Sequence, residues 1–65
     1  MTKNRVFVHL DSDETYIRVR GGYMYVTDYF DDGGLTERLD MSELREATEA
    51  EQDEVYQTFG AIRSL

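Results

Sequence analysis

The sequence predicts a single α+β domain over residues 1–65, with a meander of three or four antiparallel strands and one C-terminal helix packed on one face of the sheet. Three observations carry that expectation. Apolar and polar residues alternate through the first half, turn-forming residues interrupt the alternation at short intervals, and the apolar spacing changes from two to three or four after Thr48. A chain of this length buries only about 60% of its unfolded surface, so it has room for one thin core.

Residues 5–10 alternate Val6, Val8 and Leu10 against Arg5, Phe7 and His9, and residues 15–20 alternate Ile17 and Val19 against Tyr16, Arg18 and Arg20. That is the period of strands with one buried face. Asp11-Ser12-Asp13-Glu14 forms a polar four-residue connection, and Gly21-Gly22 supplies the positive φ angles of a two-residue hairpin turn. With Gly21-Gly22 as the whole turn, Val19 faces Met24, Ile17 faces Val26 and Tyr16 faces Thr27. With Leu10 opposite Thr15, Val8 faces Ile17 and Val6 faces Val19. Both turns then agree on one apolar face of Val6, Val8, Ile17, Val19, Met24 and Val26.

A fourth strand is expected after Asp31-Asp32-Gly33-Gly34, where Leu35, Leu39 and Met41 keep period two. Pairing Phe30 with Leu35 sets Asp28 opposite Glu37, a like-charge pair that carries a cost and that a bulge or slip would relieve. The tail from Thr48 reads as a helix. Thr48 and Glu51 have capping-box spacing, Glu49 and Glu51 suit the positive end of the helix dipole, and Val55, Phe59 and Ile62 recur at helical spacing. Gly60 either ends that helix or weakens it, which leaves residues 61–65 open.

Seven basic and fourteen acidic side chains give a net charge of −7. Without cysteine there is no disulfide framework or thiolate zinc site, and the single histidine, His9, cannot build an imidazole cluster, so no metal and no cofactor are expected. No apolar run approaches the roughly 20 residues of a membrane span, and MTKNRVFV lacks the small-residue cleavage site of a signal peptide. A cytoplasmic protein without membrane contact is the expectation. Catalysis is not expected: His9 has no cysteine partner, and Ser12, Ser42 and Ser64 stand in turn, cap and tail contexts. Neither glycine pair opens a helix in a phosphate-binding pattern.

Two surfaces remain as candidates. Residues 43–54 hold six carboxylates, Glu43, Glu46, Glu49, Glu51, Asp53 and Glu54, against Arg45 alone. Such a run reads either as the solvated side of a helix or as a phosphate-like array that occupies the basic groove of a nucleic-acid-handling enzyme. The second surface is the other sheet face, with Phe7, Tyr16, Arg18, Arg20, Tyr23 and Tyr25. Tyrosine and arginine dominate binding hot spots, so this face suits a protein partner or a homodimer, or else is an ordinary solvated face. Aromatic platforms beside arginine also bind single-stranded nucleic acid, but the net charge disfavours direct contact with any nucleic acid and favours a protein with a basic surface.

The run Leu44-Arg45-Glu46-Ala47-Thr48-Glu49-Ala50-Glu51 resembles the strand-exit and helix-entry phrase near the C-terminus of many short bacteriophage and prophage accessory proteins. The lysine-rich helix of such tails is replaced here by an acidic one. The resemblance implies a small phage product, working in the host cytoplasm, that binds and disables a host protein. That class includes anti-CRISPR proteins and inhibitors of uracil-DNA glycosylase or of restriction enzymes.

Overall fold

In the computed structural model, which describes residues 4–31 and 33–63, the alternating first half forms a sheet. Strands β1 (Val6–His9), β2 (Thr15–Val19) and β3 (Gly22–Tyr25) make a meander. Strand β4 (Leu44–Glu46) adds to the free side of β1, so the order is β3-β2-β1-β4 with all neighbours antiparallel. A short helix α1 (Val26–Asp31) follows β3, a 3-10 turn (Met41–Glu43) precedes β4, and helix α2 (Glu49–Thr58) follows it. The α+β class, the antiparallel sheet and the C-terminal helix agree with the sequence reading.

Both hairpins differ from the expected register by the same small slide. The first loop is residues 10–13 and not 11–14: the His9 N–H donates to the Glu14 carbonyl at 2.8 Å, and the Asp13 N–H donates to the His9 carbonyl at 2.9 Å. Asp13 takes φ 59°, a left-handed conformation that a short polar side chain tolerates. The second turn is Arg20-Gly21 and not Gly21-Gly22, so Val19 faces Gly22, Ile17 faces Met24 and Tyr16 faces Tyr25, while Val6 faces Ile17. Gly21 supplies the positive φ of the turn at 89°. Gly22 serves close approach instead, because a Cβ there would overlap the Glu37 carbonyl oxygen. Each slide moves the pairing by two residues, which leaves every side chain on its expected face.

The third strand stops earlier than expected and the fourth lies elsewhere. Residues 26–31 coil into α1, which brings Val26 and Phe30 to within about 6 Å along the axis, where an extended strand would part them by about 13 Å. Both can then reach one small core. Of the expected strand around Leu35–Met41 only Glu37 pairs with the sheet. Its N–H and carbonyl bond the Tyr23 carbonyl and N–H at 2.7 and 2.8 Å, so Asp28 does not stand across a ladder from Glu37. Leu35 and Met41 are exposed, and Leu39 turns inward.

Helix α2 covers the face the sequence assigned to it. Val55 packs with Val6, Val8 and Ala47, and Val26, Phe30 and Ile62 close the margin. Phe59 stacks on Phe30 with ring centroids 5.3 Å apart. Thr48 and Glu51 make the expected capping box, and Gly60, at φ 122° just past the last turn, ends the helix. The chain then returns to its start: the Arg5 guanidinium donates to the carbonyls of Arg18 and Arg63, lies over the Tyr29 ring, and Tyr29 Oη accepts the Arg63 N–H.

Candidate interaction surfaces

Charge is sorted along the strand axis. At one end of the sheet stand Asp11 and Asp13 of the first loop and Glu14 just after it, beside Glu43 of the 3-10 turn and its cap Asp40, joined by the Leu10 N–H to Glu43 carbonyl bond of 2.9 Å. Five of the six arginines gather at the other end. Arg18 bonds across to Arg5 through its N–H, Arg20 sits in the second turn, Arg38 follows the Glu37 bridge beside that turn, and Arg63 accepts from Arg5. Leu10 and Met41 are exposed at the acidic end, which gives it apolar surface among the carboxylates.

The six carboxylates of residues 43–54 do not share one surface, and the register shows why. Glu46 pairs with Phe7 and Leu44 with His9, which places Glu46 on the aromatic face, while Arg45 pairs with Val8 on the α2 face. Arg45 there makes a bidentate ion pair with Glu51 at 2.8 and 2.9 Å. That pair, followed by the bond from the Thr48 backbone N–H, holds the Glu51 carboxyl down to about 2 and raises Arg45. Glu51 is therefore a structural residue. Glu43 caps its own turn by accepting from the Asp40 N–H at 3.2 Å, with its other oxygen 3.7 Å from His9 Nε2. Glu49, Asp53 and Glu54 remain exposed on α2, with Glu49 and Asp53 one turn apart.

The aromatic sheet face is not the open platform expected of it. Phe7, Tyr16 and Tyr23 are buried, 7, 3 and 7% exposed, in a second small cluster with Leu44, flanked by Tyr25 and Leu39. Leu39, from the segment the sequence reading placed in line with the sheet, packs against these rings together with Leu44 of β4. Phe7 meets Tyr23 edge to face at 5.6 Å, and Tyr16 stacks on Tyr25 at 4.6 Å. Only half-buried Tyr25 and exposed Arg18 and Arg20 stay available to a partner, and the arginines belong to the basic end. This corrects the expectation of a broad, open Tyr/Arg face.

A groove of about 370 Å³ lies beside Tyr25, lined also by Asp28, Gly33, Gly34, Leu35 and Glu37. The sequence reading set these two carboxylates opposite each other as a repulsive pair. Glycines permit the approach of both residues: Gly34 lies so close to Asp28 that a Cβ would overlap its side chain, and Gly22 fits against the Glu37 backbone. Tyr25 is held by its stack on Tyr16, whose hydroxyl donates to Glu14 at 3.4 Å, and the Glu14 carboxylate raises the Tyr25 pKa well above the ordinary phenol. Tyr16 is raised mainly by burial.

Two further features had readable signals. Asp40-Met41-Ser42-Glu43 repeats the capping-box spacing of Thr48 and Glu51, and Asp40 does accept from the Ser42 N–H at 3.1 Å. His9 Nδ1 accepts from the N–H groups of Asp11 and Ser12, so the one histidine organises the acidic loop. Among the described residues no helix is long and apolar enough to cross a membrane. Comparison with protein-family models, curated proteins and solved structures finds no match for this chain.

Proposed function

We propose that the protein is a small non-enzymatic inhibitor that binds, one to one, a basic surface on a nucleic-acid-handling protein. The observation that carries this reading is the separation of charge between the two ends of the sheet. The acidic end joins Asp11, Asp13, Asp40 and Glu43 to exposed Leu10 and Met41, and Glu49, Asp53 and Glu54 add further exposed carboxylates on α2. Its one arginine, Arg45, is paired with Glu51, and His9 stands beside Glu43. An apolar centre within a carboxylate border suits a partner whose lysines and arginines otherwise hold phosphates, since both anions accept the same charge-assisted bonds. Long-range attraction speeds the encounter and the apolar contact prolongs it. Inhibition of a host enzyme by a phage product is the biological setting this reading fits.

Immobilised protein, exposed to nuclease-treated lysate, tests it. The captured protein is expected to bind nucleic acid on its own, to be displaced by duplex DNA, and to be released as salt rises from about 0.05 to about 0.5 M. Glu49→Gln, Asp53→Asn and Glu54→Gln together are expected to weaken capture. Capture indifferent to salt, to DNA and to this triple variant would reject the decoy reading.

A further inference from the structure

We propose that the groove between β3, α1 and residues 33–37 receives an arginine side chain of a protein partner. The groove lies at the β3 edge of the sheet, opposite the β4 edge, and none of Glu49, Asp53 and Glu54 lines it. Its lining divides by chemistry. Leu35, the Tyr25 ring and the backbone of Gly33 and Gly34 offer apolar walls, and Asp28 and Glu37 supply the charge. Leu35 is 85% exposed, a solvent contact that an incoming aliphatic stem would remove.

The occupant follows from that division. A side chain with a long apolar stem and a cationic head satisfies walls and carboxylates together. Among cations the guanidinium fits best, because it is planar, lies flat on aromatic rings and divides its donors between two carboxylates, whereas an ammonium is compact and strongly hydrated. A divalent ion would need a denser set of ligands, and no group of three or more metal-binding side chains occurs among the described residues. No arginine of the chain itself makes a salt bridge to Asp28 or Glu37 among the described residues. The site is also built in advance. Two glycine contacts bring the carboxylate-bearing residues close, and the stack on Tyr16 fixes the ring, so little order is lost on binding.

The test is an amide NMR titration of the whole chain with the capped peptide Gly-Arg-Gly, and with the same peptide carrying lysine or norleucine in place of arginine. Saturable shifts are expected at Gly33, Gly34, Leu35 and Glu37 with the arginine peptide, weaker ones with lysine and none with norleucine. Glu37→Gln and Asp28→Asn, each checked for an otherwise unchanged spectrum, are expected to weaken the arginine peptide by about fivefold. Glu49→Gln, Asp53→Asn and Glu54→Gln together, which the proposed function requires to be deleterious, leave this titration unchanged. Shifts that do not saturate, equal binding of the norleucine or lysine peptide, or indifference to Glu37→Gln would overturn the assignment.

Discussion

Gly21 and Gly22 look alike in the sequence, and the structure gives them different tasks. Gly21 has φ 89° and open space where a Cβ would go, so alanine there suffers only from backbone conformation, a cost of about 1 kcal/mol. Asparagine, which tolerates positive φ, is expected to recover most of it. Gly22 is limited by the Glu37 carbonyl. A methyl group there must push residues 36–38 outward and break both Tyr23–Glu37 backbone bonds, at about 1 kcal/mol each, before any loss of Leu39 packing on the aromatic cluster. Gly22→Ala therefore costs at least about 2 kcal/mol, and Gly22→Asn does no better. For 65 residues the whole stability is roughly 3–10 kcal/mol, so the loss is large enough to read by urea unfolding followed by circular dichroism. If Gly22→Ala proved no worse than Gly21→Ala, or Gly22→Asn rescued it, close approach of Glu37 would not be what the glycine provides.

Three more outcomes follow from the same contacts. Val55→Ala, which removes the buried link between α2 and the sheet, is expected to cost about 1.5–2 kcal/mol and lower Tm by roughly 8–12 °C, with exposed Tyr56→Ala as the near-neutral control; equal shifts would contradict the packing of α2. Thr48→Ala should remove about 1 kcal/mol and Thr48→Asp should retain it, measured by thermal unfolding. The Glu51 carboxyl lies at about 2 when folded and near 4.3 when unfolded, so its contribution is complete above about pH 5 and disappears as pH falls towards 2; Glu51→Gln should flatten that part of the acid unfolding curve, and an unchanged curve would refute the Arg45 pairing.

The sheet faces were readable because alternation reports parity, and parity survives a slide of two. Val6, Val8 and Ile17 are buried whichever residues form the turns. The register was not readable, because Asp13 and Gly21, which take positive φ, belong to both the expected and the observed turns. Helix α2 announced itself through a cap, an apolar repeat and a final glycine. Helix α1 did not, since Val26 and Phe30 lie on one side of either a helix or a strand. Only the size of the core decides between them. The acidic run was visible in the sequence, but the division of labour within it was not: Glu51 and Arg45 are six residues apart, and only the β4-to-α2 turn brings them together. The groove was hidden for a similar reason, as Asp28 and Glu37 reach it from a helix and a bridge that the alternation had merged into one hairpin.

The bond from Arg5 to Arg63 joins positions 58 residues apart, so the first strand and the tail leave the fold from one place, the arginine end. A loop built to join Arg5 directly to Arg63 would thus lie at the end of the sheet opposite the carboxylates of the first loop.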